Sequence, residues 1–359
     1  MEITVTKKVL IAGNLTNTGY YLASKLREYG MEVDLLMEEN PDFVSDPITT
    51  GELKENNYPD WIKFWKKNGN VKWQIIRIMR KYDIIGAATE LPIFAMFSFR
   101  PFIAIATGSD LRELAKSNSL RGRLLRRAYK KAKMVIYTDP DLKKSSDFLG
   151  LKNSVYCPPI RDFSKFTRQK ESNKKQNKII FFHPTSHIWK IKRNDLFIKS
   201  YIKLAKKNDN VVLVLIKKGE DFEKSLLLLK NANMEGKYVV LPKPLDQNEL
   251  GNQYLDCDIV VDQFGVGSLG SIGLEAMYFS KPVLAFIFED IYKELYGEKP
   301  PVLCAQNEDD IENILEKIVN DQEYIKEVGE KSKQWLEKYH SSDIIINKYA
   351  SYFKRILEK

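Results

Sequence analysis

Short apolar runs recur along the chain, and each is followed by turn-forming residues and then by apolar positions at helical spacing. In the first such unit, residues 8–12 are apolar, residues 13–19 contain glycine and asparagine, and residues 20–29 have helical periodicity that stops at Gly30. Residues 32–36 form the next apolar run. Buried strands that alternate with amphipathic helices are typical of βαβ units. The pattern therefore predicts a parallel sheet with helices on both faces.

The same alternation continues to the end of the chain and divides it into two similar halves. Further strands are predicted at 83–87, 102–106, 134–137, 179–182, 211–216, 238–241, 258–262 and 282–286, and helices at 195–207, 226–231, 274–279 and from 309 onward. Pro158 and Pro159 mark a boundary near residue 160, and the polar residues 170–178 are predicted to form an exposed linker.

We therefore expect an α/β protein with two facing Rossmann-like domains and a cleft between them. A length of 359 residues agrees with two domains. The first domain is predicted at 1–160 and the second at 161–340, and a C-terminal helix at 341–359 is expected to pack back on the first domain. Ligands of such sheets bind beyond the carboxyl ends of the strands, so the loops after the strands are the place to look for chemistry.

The composition excludes several classes of protein. Hydrophobic residues make up 43% of the chain, which is enough for packed cores. No apolar run reaches the ~18–20 residues that span a bilayer, and no signal peptide is recognisable, so we expect a cytoplasmic protein. Cys157, Cys257 and Cys304 are widely spaced and only three histidines are present, so neither a disulfide framework nor a metal site is expected.

The loop after the strand at 258–262 combines small residues with a helix start and a carboxylate. Its glycines and serines are Gly265, Gly267, Ser268, Gly270, Ser271 and Gly273. Glycines let backbone N–H groups approach a ligand, and the positive end of a helix favours phosphate. Glu275, in or near the first helical turn, can accept hydrogen bonds from the hydroxyls of a ribose. The same residues are also ordinary turn chemistry before a helix.

The spacing of three of these glycines has a second interpretation. Gly265, Gly267 and Gly270 fit a dinucleotide-binding fingerprint between a strand and a helix, and Glu289 and Asp290 follow about 20 residues later. This pattern predicts an NAD-dependent enzyme as an alternative. It lies in the second half of the chain, whereas such a fingerprint is usual in the first βαβ unit.

Two other loops that follow strands carry charged residues. After the strand at 179–182, Lys190, Lys192 and Arg193 supply cations that suit a pyrophosphate leaving group, although a solvated basic turn would have the same composition. After the strand at 102–106, Asp110 can orient a hydroxyl group and Arg112 can bind an anion. Alternatively, Ser109 or Asp110 caps the next helix and Arg112 lies on its surface.

The stretch from Ser271 to Val283 resembles the donor-site signature of the family 4 glycosyltransferases, which have the GT-B fold. The resemblance implies that Glu275 binds the ribose of a nucleotide sugar and that the loop amides bind its diphosphate. A glutamate that contacts the donor sugar in this family is replaced here by Gly267. The resemblance also implies that residues 1–160 form the acceptor domain and residues 161–340 the donor domain.

Three more segments, at 13–19, 106–112 and 182–196, resemble the family and extend the likeness over nearly the whole chain. The turn at 13–19 matches the family's first loop. In residues 182–196, Lys192 and Asp195 match family residues, and His187 stands where arginine is usual. Residues 106–112 resemble the loop near the acceptor, with Thr107 in place of a histidine. The implied catalytic residues are Asp110, Lys192 and Glu275. The implied donor-binding residues are Gly19, His187, Lys190, Lys192, Arg193, Gly267, Ser268, Gly270, Ser271 and Glu275. The implied acceptor-binding residues are Thr107, Gly108, Ser109, Asp110 and Arg112.

The activity implied by the resemblance is transfer of a sugar to an acceptor hydroxyl on a glycan or lipid-linked glycan, with retention of configuration. It needs no metal and no cofactor other than the nucleotide sugar as co-substrate. Gly267, Thr107 and His187 stand at positions that are usually functional, which leaves an inactive nucleotide-sugar-binding relative that supports a partner transferase as an alternative. An NAD-dependent enzyme and a nucleotide-sugar epimerase also remain open.

The net charge of +9 is concentrated in one region. Residues 52–133 contain 18 Lys and Arg against 7 Asp and Glu, and tryptophans lie among them. We predict basic amphipathic helices here, with Arg123, Arg127 and Lys130 on one face, that bind the anionic inner face of a membrane. A solvated helix face over a core explains the charge equally well. No nucleic-acid-binding signature accompanies it, so nucleic acid is not an expected partner.

Overall fold

The computed structural model describes residues 7–53, 57–67, 69–163, 166, 178–242 and 245–358. The chain forms two compact units. Unit 1 consists of Met1–Asp162 and His340–Lys359, and unit 2 of Phe163–Tyr339. Residues 170–177 of the predicted linker lie outside the described residues.

Unit 1 is built on a parallel sheet of seven strands. The strands are β1 (Lys8–Ala12), β2 (Glu32–Glu38), β3 (Ile62–Trp65), β4 (Ile84–Ala88), β5 (Phe102–Ala106), β6 (Met134–Tyr137) and β7 (Ser154–Tyr156). Their spatial order is β3-β2-β1-β4-β5-β6-β7. Every residue of β4, β5 and β6 is buried, as expected for central parallel strands covered on both faces. The strand order reverses between β1 and β4, which is where such sheets bind ligands.

The helices of unit 1 cover both faces of this sheet. They are α1 (Thr18–Glu28), α2 (Val71–Met79), α3 (Pro92–Ser98), α4 (Ser109–Arg112), α5 (Leu120–Lys131), α6 (Leu142–Phe148) and the C-terminal α15 (Ser342–Leu357). The last helix belongs to this unit because its buried residues join the core around α1. Phe353 is fully buried, and a Cβ added at Gly86 would lie 2.8 Å from its ring. The glycine in β4 thus makes room for the C-terminal helix.

Unit 2 repeats this arrangement with six parallel strands. They are β8 (Ile179–His183), β9 (Val211–Ile216), β10 (Tyr238–Leu241), β11 (Ile259–Val261), β12 (Val283–Ala285) and β13 (Leu303–Cys304). Their order is β10-β9-β8-β11-β12-β13, so the reversal lies between β8 and β11. The two sheets therefore share one strand order over six strands, which is that of a Rossmann-like domain.

The helices of unit 2 are α7 (Trp189–Lys192), α8 (Asn194–Lys207), α9 (Phe222–Asn231), α10 (Gln247–Asp256), α11 (Ser271–Tyr278), α12 (Glu289–Tyr296), α13 (Glu308–Asn320) and α14 (Gln322–His340). Local sequence explains several of their starts. At α10, the Asp246 carboxylate accepts a hydrogen bond from the Glu249 amide, and the Glu249 side chain accepts one from the Asp246 amide. This capping box satisfies two N–H groups that the helix itself cannot pair.

Three strands were not predicted from the sequence, and all three lie at the edge of a sheet. They are β3, β7 and β13. Edge strands are short and only partly buried, so they lack the continuous apolar run that identifies a central strand. Within the basic region at 52–133, residues 62–65 are not helical, because Ile62–Trp65 pair with β2 as the edge strand.

The predicted basic helix at 121–133 is present as α5, and its charged face lies outward. Arg123, Arg127 and Lys130 are exposed, whereas Leu125 and Ala128 are buried against the sheet. Ser119 caps the helix by accepting a hydrogen bond from the Gly122 amide at 3.1 Å. Among the described residues, none of the helices has the length and hydropathy needed to cross a membrane.

Candidate functional site

Asp262 organises the glycine-rich loop of unit 2 from the end of β11. Its carboxylate accepts hydrogen bonds from the Gly270 amide at 2.7 Å and from the Thr185 hydroxyl at 3.3 Å. The side chain is buried, and the loss of solvent raises the pKa of the Asp262 carboxyl above its usual value. The charge of Lys192 and hydrogen bonds from the Gly270 and Gly273 amides partly offset this rise. A buried carboxylate needs such donors, so Asp262 holds the first turn of α11 in place.

This arrangement limits where a phosphate can bind at the start of α11. The Gly270 and Gly273 amides donate to Asp262, and the Leu269 amide donates to the Tyr292 hydroxyl at 2.9 Å. Ser271 is the first helical residue and is half-buried, and Ser268 is buried. While Asp262 keeps its position, a phosphate must therefore use amides other than those of Leu269, Gly270 and Gly273. The predicted phosphate contact of Gly270 stays a prediction.

Glu275 lies in the second turn of α11 rather than the first. One of its carboxylate oxygens, Oε2, accepts a hydrogen bond from the Tyr254 hydroxyl at 2.8 Å. Tyr254 is fully buried on α10, and burial together with the neighbouring Glu275 raises its pKa well above the usual value. The tyrosine thus stays a neutral donor that fixes the half-buried carboxylate.

Lys192 connects the loop after β8 with the loop after β11. Its ammonium group lies 3.5 Å from the Thr185 hydroxyl. Burial lowers the pKa of Lys192 below its usual value, and the charge of Asp262 partly offsets this. The Phe264 amide donates to the Lys192 carbonyl at 2.8 Å. A Cβ at Gly265 would lie 2.1 Å from the Ile191 carbonyl oxygen. This glycine is required for contact between the two loops, which explains it without a dinucleotide.

The other cations of this loop differ in exposure. Lys190 is exposed, as is Arg193, whose guanidinium lies 3.4 Å from the Asp195 carboxylate. Arg193 has a left-handed backbone with φ of 53° at the start of α8, a conformation that glycine adopts more easily. The structure thus leaves Lys190 and Arg193 on the surface, whereas Lys192 is half-buried and feels the charge of Asp262.

His187 lies inside unit 2 and not at its surface. Its side chain is fully buried, Nδ1 is 2.8 Å from the Ser225 hydroxyl, and Nε2 has no hydrogen-bond partner among the described residues. Burial lowers the pKa of His187 to about 4, although Asp221 opposes this. The ring packs at 5.1 Å against the buried His183. A donor contact through this ring stays a prediction, and its buried position argues against it.

Gly267 is held by the backbone and by a neighbouring ring. Its φ is +83°, its carbonyl accepts a hydrogen bond from the Phe288 amide at 2.9 Å, and an added Cβ would lie 2.3 Å from the Phe288 ring. A glutamate at this position would require both a strained backbone and a displaced ring. Local packing therefore accounts for a glycine at the position where the resemblance would place a glutamate.

The loop after β5 in unit 1 is closed by its own hydrogen bonds. Asp110 is buried, and its carboxylate accepts from the Gly108 amide at 2.7 Å, the Thr107 amide at 3.1 Å and the Tyr129 hydroxyl at 2.9 Å. Desolvation raises the pKa of Asp110, and these bonds lower it. Ser109 is exposed at the start of α4. The two amides precede Asp110 in the chain, so these bonds close the loop rather than cap α4. An acceptor contact of Asp110 stays a prediction.

Arg112 is part of a charged cluster that the sequence analysis did not predict. It donates to both carboxylate oxygens of Asp141, at 2.7 and 3.1 Å, and lies 3.9 Å from Asp139. Desolvation and the neighbouring Asp141 raise the pKa of Asp139 to about 7, although a third of its side chain is exposed. Both aspartates follow β6, a position at which the strand-end rule could have identified them.

Gly19 also has a structural role in unit 1. A Cβ at this position would lie 2.0 Å from the Gly13 carbonyl oxygen, so only glycine allows α1 to start this close to β1. The Asn14 side chain accepts from the Tyr20 amide at 2.7 Å and fixes the same turn. A contact between Gly19 and a sugar phosphate stays a prediction. Among the described residues, no group of three or more His, Cys, Asp or Glu is placed to hold a metal ion.

Unit 2 also matches a known protein family in its sequence. Residues 162–335 match the family model described as "Glycosyl transferases group 1", which covers slightly less than half of the chain. An "Uncharacterized glycosyltransferase" of Haemophilus influenzae is 27% identical over 174 residues, which span 48% of this chain and 48% of that protein. The chain thus aligns with about half the length of this curated relative. Both findings support a glycosyltransferase rather than an NAD-dependent enzyme.

Solved structures resemble the chain over nearly its whole length. Anabaena HepE in complex with UDP and glucose has a TM-score of 0.77 at 14% identity and covers 97% of this chain and 100% of its own. Sucrose-phosphate synthase from Thermosynechococcus elongatus has a TM-score of 0.73 at 13% identity, with 98% and 99% covered. TarM has a TM-score of 0.74 at 12% identity, with 98% and 100% covered. The chain therefore has the GT-B fold, with two Rossmann-like domains.

Proposed function

We propose that this protein is a retaining family 4 glycosyltransferase that moves a sugar from a UDP-sugar to an acceptor hydroxyl without a metal ion. The observation that carries the proposal is the meeting of three motifs in unit 2. Lys192 follows β8, and the glycine-rich loop and Glu275 follow β11, which pairs directly with β8. The family match to residues 162–335 covers all of them.

The donor is proposed to be a UDP-sugar because similar structures contain UDP. HepE was solved with UDP-glucose, and a TarM variant from S. aureus was solved with UDP. Glu275, held by Tyr254, is expected to accept hydrogen bonds from the ribose hydroxyls. Lys192 is expected to neutralise charge that develops on the diphosphate as the sugar leaves, because a partly desolvated cation stabilises such charge well.

Asp262 is proposed to be a positioning residue of this site. Its carboxylate lies among Lys192, Thr185 and the first turn of α11, so it keeps the cation and the loop in one arrangement. Because Asp262 already holds the loop before the donor binds, the loop does not need to reorganise when the donor arrives. In the sequence Asp262 ends the predicted strand at 258–262, and nothing in the spacing indicates that its carboxylate turns towards the loop.

The acceptor is proposed to be a glycan or lipid-linked glycan of a polysaccharide or glycolipid pathway. Asp110 would act by holding the loop of Thr107 and Gly108, since three donors already occupy its carboxylate. The remaining acceptor-binding predictions, Ser109 and Arg112, lie on α4.

Thermal stabilisation by nucleotide sugars tests the donor proposal directly. Purified protein would be heated with UDP-, GDP-, CMP- and dTDP-sugars, with NAD(H) as a control. A ligand at ~100 times its dissociation constant should add about 2.7 kcal/mol of stability. We expect a shift with UDP-sugars alone. A shift with NADH alone would contradict the proposal, as would a well-folded protein that no nucleotide sugar stabilises.

Two observations favour a second candidate, a weakly active relative that binds a nucleotide sugar and supports a partner transferase. Gly267 leaves no carboxylate beside the Phe288 ring, and His187 is buried where the family has an arginine. Release of UDP with each stabilising donor, measured with and without a glycan acceptor, separates the two candidates. Stabilisation by a UDP-sugar without any release of UDP would favour the second.

We also propose that unit 1 associates with an anionic membrane surface. Arg123, Arg127 and Lys130 form an exposed basic face on α5, and Trp73 and Leu120 are 61% and 74% exposed. Cations together with exposed aromatic and aliphatic side chains suit an anionic headgroup layer. Co-sedimentation with vesicles of anionic lipid is expected to decline with salt and in Arg123→Glu/Arg127→Glu. Equal binding to vesicles of neutral lipid would contradict this proposal.

A further inference from the structure

The outer side of α2 carries a stripe of one tryptophan and two arginines. Trp73, Arg77 and Arg80 follow one another at intervals of four and three residues, so they lie on one side of the helix, and all three are exposed. The opposite side, which includes Ile76 and Met79, packs into the core of unit 1. The buried side attaches α2 to the sheet, so the stripe is free to contact something else.

The turn after α3 continues this stripe. The guanidinium of Arg80 lies 5.8 Å from the centre of the Phe99 ring, and its Nη2 donates to the Phe97 carbonyl at 3.5 Å. Arg100 donates from Nε to the Arg80 carbonyl at 3.0 Å. Phe99 is 84% exposed and Phe97 44%. We call this surface the anchor face, and its residues are Trp73, Arg77, Arg80, Phe97, Phe99 and Arg100.

Phe99 has a backbone conformation that a bulky residue rarely adopts. Its φ is +60°, in the left-handed region where glycine is the usual residue after a helix. The Ser98 hydroxyl fixes the turn, since it donates to the Ala95 carbonyl at 2.7 Å and accepts from the Arg100 amide at 3.2 Å. The exposed ring of Phe99 gains little packing in return for this strain. The stability of the fold therefore does not account for an aromatic residue here, whereas a contact outside the chain does.

The anchor face carries positive charge and no acidic residue. Residues 71–81 and 92–101 contain five Lys and Arg and no Asp or Glu. Two acidic residues lie between these segments, and both are already bonded. Asp83 accepts from the first backbone amide of β1 at 2.8 Å, and Glu90 accepts from Arg121 at 2.9 Å. The face is therefore complementary to an anionic surface.

The mixture of rings and cations favours a bilayer over a protein partner. The core of a protein interface is depleted in charged residues, whereas arginines stand between the aromatic rings of the anchor face. In the headgroup region of a bilayer, aromatic rings bury their apolar part and arginines reach the lipid phosphates. Residues 120–131 of α5, which also packs against α3, add six Lys and Arg and no acidic residue to the same helix layer. A surface of anionic phospholipid is therefore the partner that this face fits.

We propose that the anchor face enters an anionic phospholipid bilayer. Its three rings lie in the headgroup region, and its three arginines contact the lipid phosphates. The inference rests on the proposed membrane association, because it names the segment of unit 1 that enters the bilayer. Salt screens the attraction between charges, whereas it does not weaken the burial of an aromatic ring. The proposal therefore predicts binding that persists at high salt.

Co-sedimentation with vesicles of phosphatidylcholine and phosphatidylglycerol, at low and at high salt, tests the proposal. At about 1 M salt the Debye length is about 3 Å, so charge contributes little. Wild-type protein is expected to keep measurable binding there, and Phe99→Gly to bind about tenfold more weakly, because the buried ring is lost. The melting temperature of Phe99→Gly should equal or exceed that of the wild type, since glycine removes the backbone strain. Wild-type affinity of this variant at high salt would overturn the proposal.

Tyr29 provides a matched control for the position of the ring. It is 42% exposed after α1, with the Lys354 ammonium 4.8 Å from the centre of its ring, and α1 packs on the opposite face of the sheet. Phe99→Asp is expected to lose binding at high salt, whereas Tyr29→Asp should bind like the wild type. Equal losses in the two variants would show that any added charge disturbs binding, and this would overturn the assignment to the anchor face.

Trp73 reports whether the face enters the bilayer. Brominated phosphatidylcholine, mixed with phosphatidylglycerol, should quench the tryptophan fluorescence of the wild type more than that of Trp73→Phe. The remaining tryptophans are half-buried or buried, namely Trp61, Trp65, Trp189 and Trp335. Equal quenching of the two proteins would place the Trp73 ring outside the bilayer and overturn the proposal.

The outcomes separate this inference from the proposed function. Binding that vanishes at high salt and in Arg123→Glu/Arg127→Glu overturns the anchor and leaves the membrane association intact. No binding to anionic vesicles at any salt overturns both. An equal loss of affinity for an RNA homopolymer in Phe99→Gly would indicate a contact with polyanions in general, which overturns the bilayer assignment. Thermal stabilisation by UDP-sugars should be unchanged in Phe99→Gly, and it tests the transferase separately.

Discussion

The two units share one strand order but differ in what lies at the point where that order reverses. In unit 2 the edge between β8 and β11 carries buried polar groups, with Asp262 bonded to Thr185 and to the loop. In unit 1 the edge between β1 and β4 opens into a cavity with an apolar wall. The same backbone thus presents a compact polar site in one unit and a large apolar one in the other. The chemistry of each site comes from side chains and loops that the fold leaves free to vary.

The largest expected effect is the loss of Asp262, the centre of the polar site. Asp262→Ala leaves the Gly270 and Gly273 amides and the Thr185 hydroxyl without their buried acceptor, so we expect a loss of about 3 kcal/mol in the free energy of unfolding. Urea denaturation measures it. Asp209→Ala is the control, because the Asp209 side chain is fully exposed in its ion pair with Lys237. If both variants unfold at the same urea concentration, the buried network does not stabilise unit 2.

The second effect concerns binding rather than stability. Glu275→Ala removes the carboxylate that is expected to hold the ribose, and we expect about 100-fold weaker binding of UDP, because hydrogen bonds to a charged group contribute about 1.5–3 kcal/mol. Calorimetric titration measures the affinity. Tyr254→Phe keeps the carboxylate and removes only its support, so a smaller loss is expected. Unchanged affinity in a folded Glu275→Ala protein would refute the site assignment.

The third effect is the response of unit 2 to acid. The pKa of His187 is lowered to about 4 by burial, below its usual value of about 6.5, so the folded protein holds this ring neutral. The contribution of the neutral ring to the free energy of unfolding is fully present above pH ~6.5. It is lost as the pH falls towards 4, by roughly 2 kcal/mol. His187→Gln should reduce the difference in urea midpoint between pH 7 and pH 4.5. An unchanged difference would show that His187 does not titrate in this range.

The smallest expected effect is in unit 1, where stability falls as the pH rises, opposite to the response expected from His187. The pKa of Asp139 is raised to about 7 by desolvation and by Asp141. Its protonated form is therefore favoured in the folded state, and the stability that this contributes is lost as the pH rises from about 4 to 7. Asp139→Asn should raise the melting temperature more at pH 8 than at pH 5. A larger gain at pH 5 would contradict the assignment.

Much of the fold was predictable because central parallel strands are apolar throughout. The central strands β1, β5, β6 and β9 were identified with the bounds that the structure has, and so was the edge strand β10, whose four residues are all apolar. The edge strands β3, β7 and β13 were missed since each is partly exposed and short. A strand that is partly exposed does not need to be apolar throughout, so its sequence lacks the continuous apolar run by which a buried strand is identified.

The candidate site was predictable in its loops but not in its contacts. The glycine-rich loop and Lys192 were identified from their residue types and their position after strands. The support of Glu275 by Tyr254 was not, because the two residues are 21 positions apart on different helices. The burial of His187 was also not predicted, since its neighbour Ser225 comes from another βα unit.

The βα alternation, the division into two halves and the loops that follow the strands can all be read from the sequence. These are properties of periodicity and local turn chemistry, which neighbouring residues encode. It took the folded chain to show that Asp262 occupies the amides of its own loop, that Phe288 covers Gly267, and that a cavity opens where the strand order of unit 1 reverses. Such features depend on which distant side chains share a volume, and packing in three dimensions, rather than spacing along the chain, sets that.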